Sequence, residues 1–380
     1  MNFRAITTAA LIGALPAIVI PPAHAADPVY ATEKGRIAVA TVTDRLTQPW
    51  GIDFLPDGRM IVTEKAGRLR IVTPEGKISE PVSGLPTIDD SGQGGLLDIT
   101  LHPQFASNRL VYLSFSEPGP GGRSTALARG RLSDDGSMLE NVQTLFSQTP
   151  KVGGGRHFGS RVVFAPDGTL FLTLGDRGNR HYAQDLSGHI GKVIRLAEDG
   201  RVPPDNPFIG KSGAKPEIWS YGHRNIQGAD IHPATGKLWT IEHGPRGGDE
   251  INIPAAGANH GWPVVTHGIE YSGGTIGDGL KTMTGMADPI VTWTPVIAPG
   301  GMSFYTGAMF PAWKGNLLIG GLRSSAIVRL ELDGDKVVHE ERLLQELEIR
   351  IREVVGGPDG AVYAITDESD GKILRITPAD

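Results

Sequence analysis

The sequence predicts an all-β fold, a six-bladed β-propeller built of four-stranded antiparallel blades. Three observations predict it. A proline-led turn recurs six times ahead of short β-branched runs, a second run with a basic residue inside it follows most of them, and 52 glycines with 28 prolines in 380 residues leave little room for long helices. The units, in order, are Pro56-Asp57-Gly58 before Met60–Thr63 and His102-Pro103 before Leu110–Leu113. Then come Pro166-Asp167-Gly168 before Leu170–Thr173 and His232-Pro233-Ala234-Thr235-Gly236 before Leu238–Ile241. Pro311 to Gly315 precedes Leu317–Ile319, and Pro358-Asp359-Gly360 precedes Val362–Ile365. The basic second runs are Arg68–Val72, Lys192–Leu196, Ile327–Leu330 and Lys372–Ile376. The turn prolines at 56, 103, 166, 233, 311 and 358 are spaced by 47, 63, 67, 78 and 47 residues. The short intervals suit a four-stranded blade and the long ones a blade with an inserted loop. Two β-sandwiches would need a linker or composition break that the chain does not show. Insertions between equivalent strands would gather on one face, where binding sites tend to lie.

The N-terminus predicts a leader. Arg4 gives a thin positive region, Ile6 to Ile20 is almost wholly apolar, and Ala23-His24-Ala25 has the small-x-small cleavage pattern. Residues 1–25 therefore read as a signal peptide and residues 26–380 as one propeller domain, which places the protein in the periplasm or outside the cell. An uncleaved anchor is the alternative, but the run is short for a bilayer span and broken by Pro16. With no cysteine, disulfides and thiolate chemistry are excluded, and a net charge of −6 gives no electrostatic case for nucleic acid.

Four loops carry more polar chemistry than turns require. Asp90 to Asp98 is glycine-rich and projects Gln93, although taken alone it reads more readily as a plain turn. Gly153 to Arg161 holds His157, and Asp176 in Gly175-Asp176-Arg177-Gly178 follows one strand later. A hairpin return would bring the carboxylate to the imidazole, fixing its tautomer and raising its basicity. The third region joins Tyr221 to Gly228 with Glu242 to Asn252, where glycines, Asp249, Glu250 and nearby carbonyls offer an oxygen cage for Ca²⁺. The fourth is basic: Arg323, then Arg350 and Arg352, which share one face if the segment is a strand. With Arg224 these cations call for an anionic partner, and a polycarboxylate fits.

In this order the loops resemble the soluble PQQ-dependent aldose sugar dehydrogenases, of the soluble quinoprotein glucose dehydrogenase family, from about Leu46 to Ile376. The most specific matches are Gly92 to Leu97, Trp219 to Asn225, Glu242 to Asn252 and Arg350-Ile351-Arg352. The resemblance implies a six-bladed propeller that oxidises an aldose at C1 to a lactone. His157 would be the base and Asp176 its orienting acid, with hydride passing to PQQ and electrons then to a quinone or other small carrier. It implies cofactor contacts from Gln93, Arg224, Asn225, Tyr271, Leu322, Arg323, Ser324, Arg350, Ile351 and Arg352. Carbonyls of Gly244 and Pro245 would hold the Ca²⁺ beside PQQ, and Glu250 with the carbonyl of residue 260 a second one. Residue 260 is His260 where close relatives carry Tyr, Arg323 stands where they carry Lys, and Arg156 precedes His157 where no acidic neighbour is left. Two other functions compete, a Ca²⁺-dependent lactonase-type hydrolase and a non-catalytic carbohydrate-binding propeller. The arginine group favours PQQ, because a lone catalytic Ca²⁺ wants carboxylates around it.

Overall fold

A computed structural model describes residues 27–380. Six antiparallel sheets follow one another along the chain. Their first strands are Pro49–Phe54, Leu96–Leu101, Gly159–Phe164, Ile226–Ile231, Pro299–Phe304 and Ile351–Gly356. Each touches the next, and the sixth touches the first, so the sheets close into a six-bladed propeller around a central axis.

The recurring turns join the first strand of a blade to its second. Gly58, Gly168 and Gly360 close them with φ of 84°, 83° and 85°, and each donates its N–H to the residue three before it. Only glycine takes that left-handed conformation without strain. The basic residue of the third strand reaches back to this turn, as in Arg195–Asp167 and Arg375–Asp359, both 2.8 Å. The repeat seen in sequence is thus a turn and its clasp.

Strand count departs from the expected four in two blades. Four blades have four strands, the first has three, and the last has five. The last gains strands because Gly35–Leu46 pairs with Gly371–Ala379, so the start of the propeller closes the ring at its end. Ile37 and Val39 on that strand are buried with Leu318, Ile327 and Val354. In the first blade only a single bridge, Val72 to Ile78, continues the sheet outward.

All six first strands share one irregularity. The register to the second strand shifts near the start of each, between Pro49 and Ile52, Leu96 and Ile99, Gly159 and Val162, Ile226 and Gly228, Pro299 and Met302, and Ile351 and Glu353. Bulges of this kind re-aim side chains. Here all six lie at the same end of the axis, where Trp50, His157, Asn225 and Arg352 converge. Below them Arg161, buried, bridges Asp98 and Glu353 and stacks 4.2 Å over the Trp50 ring, plugging the axis. At the far end Asp53 and Asp230 each accept a backbone N–H of the next blade, from Leu101 and Phe304 at 2.8 Å, so the acids there act as inter-blade clips. Among the described residues no helix is long and apolar enough to cross a membrane. The expected leader lies outside the described residues.

Candidate active site

The bulged end of the axis opens into a cavity of about 340 Å³. Gln93, His157, Arg224, Asn225, Tyr271, Leu322, Arg350 and Arg352 line it, together with Trp50, Gln227, His243 and Asp367.

His157 enters from the loop ahead of the third blade at φ 58°, a left-handed conformation for a non-glycine residue. Its backbone N–H donates to Gln93 Oε1 at 2.8 Å, tying the second and third blades together over the pocket. The hairpin return brings Asp176 to it, and His157 Nδ1 lies 2.6 Å from Asp176 Oδ1. Gly175 makes that return possible, since a Cβ there would sit 2.1 Å from the His157 carbonyl oxygen. Asp176 is 1 % exposed and also accepts the Gly178 N–H on Oδ1 at 2.7 Å and the Trp262 indole N–H on Oδ2 at 2.8 Å. A carboxylate so placed takes the Nδ1 proton as an acceptor, which leaves Nε2 with a free lone pair. Burial, with Arg224 and Arg156 nearby, outweighs Asp176 and holds His157 below its ordinary pKa. Burial alone would raise Asp176, but its bond to His157 and the other partners keep it below the usual carboxylate range.

The rest of the lining is cationic. The backbone N–H groups of Arg224 and Asn225 both donate to Glu242 Oε2, at 2.5 and 3.2 Å, and Arg224 Nη1 donates to the His243 carbonyl at 2.9 Å. Burial raises Glu242 to about 7 and lowers its partner His223 to about 3. Arg350 and Arg352 do not point freely into the cavity. Both guanidiniums grip Asp367, Arg350 on Oδ2 at 2.7 Å and Arg352 on Oδ1 at 2.8 Å, and Arg352 also donates to Gln227 Oε1. Three arginines against one carboxylate leave the wall positive.

Three expected cofactor contacts fall outside the lining. Ile351, first residue of its strand, is fully buried in the hydrophobic core, while the arginines on either side of it reach Asp367. Arg323 is exposed beside Leu322, and the Ser324 hydroxyl is buried near Gly321 without a partner. Asp249, read as part of an oxygen cage, is spent as a clip: its carboxylate accepts the N–H groups of Gly244 and Ala298 at 2.8 and 2.7 Å. Gly244 lies between the main cavity and a second one of about 10 Å³, lined among others by Pro245, Glu250 and His260. That volume suits one water or ion. No donor among the described residues reaches the carbonyl oxygens of Gly244, Pro245 or His260. Glu250, raised to about 8 by burial and by Glu242, faces this space. Among the described residues no three acidic or histidine side chains form a metal cage by themselves, so a cation would rest largely on carbonyls.

Sequence reasoning missed Asp367, Gln227, Trp50 and Trp262. Trp262 had a local signal in Gly261-Trp262-Pro263, early in the long loop between the strands Asp249–Asn252 and Val291–Trp293, while Asp367, just past the strand Val362–Thr366, had none.

Comparison with known proteins agrees with the fold. The family model described as Glucose / Sorbosone dehydrogenase matches residues 46–375. Aldose sugar dehydrogenase YliI of Escherichia coli K12 is 46% identical over 345 residues, covering 90% of this chain and 93% of its own. The apo-form crystal structure of the soluble aldose sugar dehydrogenase from Escherichia coli superposes with a TM-score of 0.88 at 45% identity, covering 90% of this chain and 100% of that one. The PQQ-bound form of an aldose sugar dehydrogenase from Streptomyces coelicolor has a TM-score of 0.75 at 27% identity, over 93% and 99% of the two chains. The chain belongs to the glucose/sorbosone dehydrogenase family.

Proposed function

We propose that this protein is a PQQ-dependent dehydrogenase that oxidises aldose sugars at C1 to lactones in the periplasm, with residues 1–25 a cleaved leader and 26–380 the mature propeller. The observation that carries the reading is a His157–Asp176 pair whose free Nε2 opens onto a cavity walled by three arginines. A His–Asp pair alone serves many reactions. Joined to a positive wall it suits a base acting beside a polyanionic cofactor, and the PQQ-bound relative supports that choice.

The residues present fit the group. Arg224, Arg350 and Arg352 would take its carboxylates, Gln93 and Asn225 its polar edge, and Tyr271, exposed at the mouth, would cover it. Leu322 adds an apolar wall, while Arg323 and Ser324 would contribute only from the rim, and Ile351 only through its backbone. The unpartnered carbonyls of Gly244 and Pro245 suit a Ca²⁺ beside the cofactor, and Glu250 with the His260 carbonyl suits a second one. When bound, PQQ supplies the hydride acceptor and Ca²⁺ polarises it. The chain's own part is to hold the sugar's C1 hydroxyl against His157 Nε2, which takes its proton as the C1 hydrogen leaves with its electron pair. Asp176 then stabilises the imidazolium until the proton passes to solvent. The electrons go on to a quinone or other small redox carrier.

Reconstitution tests this. Purified protein with PQQ and Ca²⁺ should oxidise aldoses with an artificial acceptor, and omission of either should abolish it. Lactone hydrolysis without quinone would support a hydrolase in its place, and no response to PQQ in absorbance or thermal stability would support a binding propeller.

A further inference from the structure

We propose that Trp262 is a positioning residue that sets the proton affinity of His157 through Asp176 and couples that pair to Arg224 and to the loop carrying Tyr271. The proposal rests on His157 being the base. Trp262 is 6 % exposed, and its indole N–H donates to Asp176 Oδ2 at 2.8 Å. The other carboxylate oxygen serves His157 and Gly178. A carboxylate shares one charge between two oxygens, so each donor on Oδ2 draws charge away from the atom facing the imidazole. The indole therefore limits how strongly Asp176 favours the imidazolium.

Two cations lie against the ring itself. The guanidinium carbons of Arg180 and Arg224 each lie 5.5 Å from its centroid. Arg180 pairs with Glu270 at 2.6 Å, next in sequence to Tyr271. The Arg224 carbonyl accepts the Asp176 N–H at 2.7 Å. Trp262 cannot easily shift, because its backbone N–H donates to the Gly222 carbonyl at 2.9 Å and its carbonyl accepts from Gln184 Nε2 at 2.8 Å. One side chain thus touches the orienting acid, a wall arginine and the arginine that ties down the mouth loop. The other charged or titratable groups acting on the pair are Arg156, Arg177, His243 and Glu242. None of them donates to Oδ2.

The test is an NMR titration of the His157 ring in protein without cofactor, comparing wild type with Trp262→Phe. Loss of the N–H should raise the His157 pKa by about one unit. With PQQ and Ca²⁺ added, the acid limb of the pH–rate profile should move up by the same amount while the sugar KM changes little. Should Trp262→Phe fail to fold, site-specific replacement by 3-benzothienylalanine keeps the ring shape and removes only the N–H. An unchanged His157 pKa in either folded variant would overturn the proposal. Because the titration needs neither cofactor nor turnover, this result is distinguishable from failure of the dehydrogenase reading itself.

Discussion

Replacing Asp176 by Asn changes one atom in a site where every direction is already assigned. Asp176 is an acceptor three times over, from His157 and Gly178 on Oδ1 and from Trp262 on Oδ2. An amide oxygen can serve only one side. If it faces His157 and Gly178, the amide NH₂ meets the indole N–H of Trp262, donor against donor in a buried site. If it is flipped, the NH₂ meets Gly178 N–H and forces His157 into the tautomer with its proton on Nε2, where no lone pair remains for the sugar. Either arrangement strands a buried donor, at a cost of about 1–3 kcal/mol of stability. Loss of an oriented general base should lower kcat by about 10²–10⁴-fold. The cationic wall is untouched, so PQQ affinity should stay near wild type. The assay pairs PQQ titration by absorbance with steady-state aldose oxidation. Turnover close to wild type in a variant that binds PQQ normally would refute the assigned role of Asp176.

Three further outcomes follow from the same geometry. His157 titrates below its ordinary 6.5, so kcat/KM for the sugar should be flat at neutral pH and fall only on the acid side of that value; a limb above neutrality would contradict the burial argument. Asp367 is held low because Arg352 and Arg350 outweigh its burial, so its stabilising contribution is complete above the unfolded 3.8 and is lost as pH falls through the lower folded value. Asp367→Asn should then lower Tm at pH 7, with the gap to wild type closing as pH falls through that lower folded value. Arg352→Gln removes a charge-assisted contact from the wall and should weaken PQQ binding by roughly 10–100-fold, measured by equilibrium titration.

Much of the fold was legible because the signal was local. The Pro-Asp-Gly turns announce themselves by chemistry that acts over four residues, and their glycines do take the positive φ the turn needs. Ring closure was not legible, since the pairing of Gly35–Leu46 with Gly371–Ala379 spans nearly the whole chain and its residues would suit any sheet edge. The six bulges also left no mark, because a register shift depends on both strands. At the site, His157 and Asp176 stood out as polar residues in glycine-rich loops one strand apart. Arg350 and Arg352 both reach Asp367 while Ile351 between them is buried in the core, which a contiguous motif conceals. Asp367 was invisible for a different reason: a single acid at a strand end becomes meaningful only when two arginines from another strand close on it.

The most direct test of the central claim is the His157→Ala variant, loaded with PQQ and Ca²⁺ and assayed for aldose oxidation. The arginine wall and the loop carbonyls remain, so the variant should bind PQQ with near wild-type affinity and show no turnover above background. Full activity in that variant would contradict the account, because the pocket would then be working without the base around which it is built.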